Sequence, residues 1–188
     1  MACNCIATTR NNSSIAQSKS VIVVDVSLTP ATSNYTTGDA VGNSGASSSL
    51  LTFDCAVSMA GGSATLKQVS IVEGATTLAK NALDLVIVSS GAYTTAADNA
   101  QLDANTLNPT ASKRVCGQIS FTNLDYVTIG STSAGTNDYA IATKSPELKV
   151  WNNDTALSNS VYGFLVYRGA SQFAASTTLV VRCVFERD

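Results

Sequence analysis

Histidine is absent from this chain of 188 residues. That removes the commonest general base and the commonest metal ligand, and with them any Ser-His or Cys-His nucleophile system. Charge is also short: Asp, Glu, Lys and Arg make up 13% of the chain, about half the usual share. The eleven basic residues are scattered, Lys113-Arg114 is their only adjacent pair, and net charge is −2. Phosphate-backbone binding needs a basic stripe, so no nucleic-acid partner is expected. No apolar run approaches the roughly 18 to 20 residues that cross a bilayer as a helix, and no membrane partner is expected. Met1-Ala2-Cys3-Asn4-Cys5 lacks the basic-then-apolar order of a secretory signal; the expectation is synthesis and assembly in a cytoplasm. The G-x-x-x-x-G-K phosphate loop is missing, as is any repeat of fixed period.

Ser, Thr, Asn and Ala take the place of the missing charge. Thr favours strands, while Ser, Asn and Gly favour turns, so the composition suits β-structure. Sparse charge also suits a subunit covered by neighbours, since interface cores are depleted in charge. The length fits one domain with a core of its own. Five cysteines are an odd number in a chain too large to need disulfides, and reduced thiols are the expectation. Alternation places Cys55 and Cys183 on apolar strand faces and Cys116 on a polar one. Cys3 and Cys5 form a C-x-C pair, but a structural metal site wants four Cys or His ligands; no metal and no cofactor are expected.

Residues 1–20 read as a polar arm and residues 21–188 as a β-sandwich domain. The arm has neither alternation nor helical period, and Ile6 and Ile15 are its only large apolar residues after Met1. Val21-Ile22-Val23-Val24 opens the first strand, which ends before Pro30, and Ala40-Val41 suits one short strand. Leu51, Phe53, Cys55 and Val57 alternate with polar or small residues, the period of a half-buried strand. Gly61-Gly62 turns the chain towards Val69 and Ile71, and the two runs read as a hairpin. Leu83 to Val88 is almost continuously apolar, as in a central strand. Residues 90–112 interrupt the rhythm, with one or two helical turns expected at Ala96 to Leu102. Further strands are expected at Val115 to Phe121, Asp125 to Ile129, Tyr139 to Ala142, Glu147 to Trp151, Val161 to Tyr167 and Leu179 to Glu186. Nine or ten closely spaced strands without a long helix predict an all-β, antiparallel two-sheet sandwich of jelly-roll type. Phe53, Val69, Leu85, Ile119, Leu165 and Val181 are the expected core.

Three phrases punctuate these strands: Tyr35-Thr36-Thr37-Gly38-Asp39-Ala40-Val41-Gly42, Ala97-Asp98-Asn99-Ala100 and Val161-Tyr162-Gly163-Phe164-Leu165. The first resembles a "Y-T-x-G-D-x-V-G" opening of small structural proteins of tailed bacteriophages. Leu50 to Val57, Gly61-Gly62 and Leu83 to Val88 follow it as they do in such proteins. Ala97 to Ala100 is similar to the family's "ADNA" insertion and Val161 to Leu165 to its "LYGLL"-like strand; Val115 to Phe121, Phe173 and Leu179 to Phe185 fit the remaining segments. The resemblance covers roughly residues 21 to 186 and leaves the cysteine-bearing arm unmatched. It implies a virion protein on the capsid exterior that decorates or cements the head, with the major capsid protein as partner and homotrimeric self-association. A head- or tail-attached module for host-surface glycan is the alternative, followed by a neck or tail component.

The phrases also have plain physical readings. Gly38 can supply positive φ in a turn where Asp39 bonds nearby amides. Asp98-Asn99 can cap a helical turn or close an Asx-turn. Gly163 suggests close approach by a bulky neighbour such as Trp151 or Tyr167. Asp25, Asp39, Asp54, Glu73, Asp84 and Asp98 are spread over different strands and turns. Paired-carboxylate hydrolysis needs two of them about 5 to 10 Å apart, and turn or surface roles are the expectation. Asp98, Asn99, Asp103 and Asn105 are rich in oxygen but lack EF-hand spacing. No catalytic residue is assigned and no enzyme activity is expected. Among the aromatics, Tyr93, Tyr126, Tyr139 and Trp151 could line a glycan face; Tyr139 and Trp151 could equally cap the core or anchor a subunit contact. In the arm, Ile6 and Ile15 are the expected apolar anchors on a neighbouring subunit or shell. Cys3 and Cys5 would pack there or form an intersubunit disulfide. Folding of the arm over its own sandwich is the alternative.

Overall fold

The computed structural model describes residues 19–32, 34–91, 96–102, 115–130, 138–153, 158–169 and 171–188. In chain order the strands are β1 (Val21–Leu28), β2 (Ala40–Val41), β3 (Leu51–Phe53), β4 (Ser63–Ala75), β5 (Leu83–Val88), β6 (Val115–Phe121), β7 (Tyr126–Ile129), β8 (Asp138–Lys144), β9 (Leu148–Trp151), β10 (Val161–Tyr167) and β11 (Thr178–Arg187). They form two antiparallel sheets. The first runs β1-β11-β4-β8-β7, with β9 also paired to β4; the second runs β2-β10-β5-β6, with β3 also paired to β10. The chain is therefore an all-β two-sheet sandwich.

The inward rows of the two sheets meet in one core that holds Phe53, Val69, Leu85, Ile119, Leu165 and Val181, all six expected residues. β4 shows how the alternation is managed along a long strand. Ala64 and Leu66 face the core, and so do Val69 and Ile71, although a strict period of two would put the second pair on the opposite face. A bulge resolves this: Val184 pairs with Gln68 and Phe185 with Leu66, leaving Lys67 as the extra residue. The segment before the bulge pairs with β9 and the segment after it with β8.

All six residues of β5 are buried because the second sheet is covered on both faces. Leu83, Leu85 and Ile87 point into the main core. Val86 and Val88 join Phe164 and Val166 in a second cluster on the other face, against which Leu50, Leu102, Val115 and Tyr162 pack. Two-sided burial accounts for the continuous apolar run.

Several expectations are corrected. β3 and β4 are not a hairpin, since β3 pairs with β10 and β4 lies in the opposite sheet; the Gly61-Gly62 turn carries the chain across the sandwich. The strand at residue 51 ends at Phe53, and Cys55 takes a positive φ of 60° that no extended strand allows. Cys55 is also disulfide-bonded rather than reduced, with its partner outside the described residues. Cys116 is the extra residue of a second bulge, where Ile87 pairs with Gly117 and Val88 with Val115, and it packs against the core instead of standing on a polar face. Residues 98–100 form a turn rather than a helix, and the short 3-10 helix is Asn123–Asp125. There the Asp125 carboxylate accepts from the Thr122 backbone N–H at 2.7 Å. At Gly163 the close neighbours are the Val86 carbonyl and the Phe53 ring, 2.9 and 3.2 Å from where a Cβ would stand.

Candidate functional site: a joint between three phrases

The three phrases, far apart in sequence, meet at β2. On one side β2 pairs with β10 through Leu165↔Val41 and Val166↔Ala40. On the other side it meets the turn at residues 97–101: Asp39 bridges Gln101, the Ala40 N–H donates to the Ala100 carbonyl at 2.8 Å, and the Asn99 N–H donates to the Ala40 carbonyl at 2.9 Å. Gly38, at φ +103°, lets the chain turn tightly enough for its N–H to reach the Tyr167 carbonyl at 2.9 Å. Asp39 fastens the same turn by accepting from the Thr36 N–H at 2.6 Å and the Thr36 hydroxyl at 3.1 Å, as expected of an Asp after a turn glycine.

Asp98 does more than close its own turn. Its carboxylate accepts from the Tyr35 hydroxyl at 2.5 Å, the Gly42 N–H at 2.8 Å and the Ala31 N–H at 3.1 Å. Burial, followed by the hydrogen bond to Asp98, pushes the Tyr35 hydroxyl above its ordinary pKa, so it stays a protonated donor. The Tyr35 ring packs with Tyr167 and Phe173 at centroid distances of 5.4 and 5.3 Å. All three rings are buried and close one end of the core.

Beside this joint lies an open groove of about 530 Å³. Thr37 and Gly38, Gln101 and Leu102, and Val166 and Arg168 bring all three phrases or their flanks to its walls, and Val86 lies between them. The groove's described lining contains no cysteine and no carboxylate. Its one charged side chain, Arg168, donates to Asp84 at 2.7 Å, where the Asp84 side chain is only 8% exposed. Among the described lining residues this is a largely apolar cleft with a neutralised ion pair.

Each of the six carboxylates weighed for paired-carboxylate hydrolysis has a partner. Asp25 takes two bonds from Arg182, Asp54 one from Ser160 and Asp84 one from Arg168. Glu73, 1% exposed, accepts from the Ala79 and Lys80 N–H groups at 2.7 and 2.8 Å and so fixes the β4–β5 connection. Asp39 and Asp98 hold the joint. Among the described residues no group of three or more Cys, Asp or Glu could hold a metal ion.

Among the described residues the singled-out aromatics Tyr126, Tyr139 and Trp151 do not gather on one exposed face. Tyr139 pairs with Gly74 and Trp151 with Ser63, near opposite ends of β4, which puts them about 35 Å apart at about 3.3 Å per residue. Tyr139 is 49% exposed, whereas Tyr126 is buried and Trp151 half-buried. Cys3, Cys5, Ile6, Ile15, Tyr93, Asp103 and Asn105 lie outside the described residues. Sequence reasoning missed the exposed side chains of Val21, Val23, Val127 and Ile129. The signal was there: Val21-Ile22-Val23-Val24 and Tyr126-Val127-Thr128-Ile129 are apolar or neutral on both strand faces, where a strand with one solvated face would alternate. Comparison of this chain with protein-family models, with curated proteins and with solved structures finds no match.

Proposed function

We propose that the sandwich is a jelly roll and that the chain is a virion structural protein. It decorates or cements the outer face of a tailed-phage capsid, with the major capsid protein and further copies of itself as partners. The strand pairs support the jelly roll because they are nested in sequence: β1 with β11, β3 with β10, β4 with β8, and β5 with β6. A ribbon of nested antiparallel pairs wrapped around a core yields the two sheets of that fold. Jelly rolls serve capsids, lectins and enzymes alike, so the fold by itself does not choose.

The observation that carries the structural role is the use made of the carboxylates. All six candidates accept hydrogen bonds that build turns, strand pairs or the joint. The phrases behind the phage resemblance are likewise fold-building parts that meet in one place. The glycan reading has less support, because it needs exposed aromatics gathered at one end. The gathered rings Tyr35, Tyr167 and Phe173 are buried, and among the described residues Tyr139 is the only aromatic side chain in the exposed class.

Purified chain added to phage heads that lack it should bind at fixed stoichiometry and raise the temperature at which the heads release DNA. Binding confined to tails would favour the appendage, and binding to neither would refute both.

A further inference from the structure

Seven large hydrophobic side chains are exposed among the described residues. Five of them, Val21, Val23, Val127, Ile129 and Tyr139, stand on the outer face of the six-stranded sheet. The register joins this surface into rows. Val127 lies opposite Ile141, Ile141 opposite Val72, and Val72 opposite Val180, a line of branched apolar side chains across four strands. Ile129 and Tyr139 form the next row, where the Tyr139 ring lies over Gly74. Val23 and Val184 extend the surface towards the far edge.

Several polar groups on this face are already paired with one another. Ser70 and Thr143 share a hydrogen bond of 2.9 Å, Gln68 donates to Ser70 at 3.3 Å, and Arg182 grips Asp25 through bonds of 2.8 and 2.7 Å. Lys19 pairs with Glu186 at 2.8 Å at one corner. Water can therefore leave without stranding these groups, which is what makes burying a polar surface costly.

We propose that this face is a homodimer interface, on which a second copy lays the same face, sheet on sheet. Charge selects the occupant. A two-fold contact lays the same face against itself, so a face with an unbalanced net charge repels its copy. Here Asp25 with Arg182, and Lys19 with Glu186, cancel within each copy. Five strands about 4.8 Å apart and about seven residues long present about 600 Å² of projected plane. Side-chain relief raises the accessible area towards the about 800 Å² per partner of a standard interface. The contact gives pairs of chains, where the phage resemblance implies threes.

Sedimentation equilibrium of the full chain, free of any particle, tests this. The expected species is two chains, and Val127→Asp and Val23→Asp, at opposite edges of the face, should each raise the dimer dissociation constant at least tenfold. Met59→Asp, at a side chain 67% exposed in the β3–β4 connection, should leave it unchanged. Circular dichroism should show all three variants folded. A wild-type monomer or trimer would overturn the proposal. So would weakening by Val127→Asp alone, which would indicate strand addition at the β7 edge instead.

Discussion

The Tyr35 hydroxyl donates to the Asp98 carboxylate at 2.5 Å across 63 residues of sequence, and Asp98 also takes the Gly42 and Ala31 amides. One side chain thus fastens the segment before β2, the residue after it and the turn beyond β5. Losing it leaves the Tyr35 hydroxyl and the Gly42 N–H short of an acceptor, while the Ala31 N–H keeps the Tyr35 oxygen at 3.1 Å. Asp98→Ala should cost about 3 kcal/mol and Tyr35→Phe about 1 to 2 kcal/mol. Because the two share a bond, the double variant should cost less than the sum by about 1 kcal/mol. Urea titration of the four proteins checks this, and strict additivity would mean that the bond contributes nothing.

Packing at β10 yields a sharper contrast. A Cβ at Gly163 would stand 2.9 Å from the Val86 carbonyl and 3.2 Å from the Phe53 ring, whereas one at Gly45 meets nothing within 4 Å. Gly163→Ala must displace strand backbone and should cost about 1 to 3 kcal/mol. Gly45→Ala suffers only from its φ of +75°, about 1 kcal/mol. Leu85→Ala, in the main core, should cost about 2 to 5 kcal/mol. Thermal melts of the three variants should rank them in that way.

Much of this was legible in the sequence because burial on one face leaves a period of two. β11 carries that period, and Val181 and Cys183 were read correctly onto its inward face. Where a bulge resets it, at Lys67 and Cys116, the face of the following residues depends on the partner strand, which the sequence does not reveal. The joint was legible as three phrases but not as one place, because Asp98 reaches residues 56 and 67 positions away. Local propensity offered it a nearby turn amide instead. The β3–β4 hairpin failed for a related reason. A Gly-Gly turn between alternating runs suits a hairpin and a crossover equally, and what separates them is the pairing of β3 with β10.

Thiol chemistry should follow burial. Burial pushes the Cys183 thiol up, and Cys116 is raised for the same cause. Since the thiolate is the reactive form, Cys183 should resist alkylation at neutral pH until the protein unfolds, and Cys116 should react slowly. Cys55 should label only after reduction. Peptide mass spectrometry after iodoacetamide treatment would show the order, and rapid native labelling of Cys183 would contradict it.

Acid stability should depend on the surface pairs. The Arg182 hydrogen bond holds the Asp25 carboxyl below its usual range, and Lys144 does the same for Asp125. A depressed folded pKa contributes stability that is present above the unfolded value of about 3.9 and lost as pH falls through the folded one. The urea midpoint should therefore stay flat from pH 7 to about 5 and fall below about 4. Asp25→Asn should remove part of that fall, as should 1 M salt, because both groups are exposed to screening. An acid limb unchanged in Asp25→Asn would show that the pair is inert.

The claim that this is a capsid-exterior protein is tested most directly by a cryo-electron map of the tailed-phage head assembled with the chain. The account predicts sandwich density on the outer surface of the shell, fitted by β1 to β11 without rearrangement, and loss of that density when the gene is deleted. A head surface unchanged by the deletion, with the chain found in the tail or free in the lysate, would contradict it.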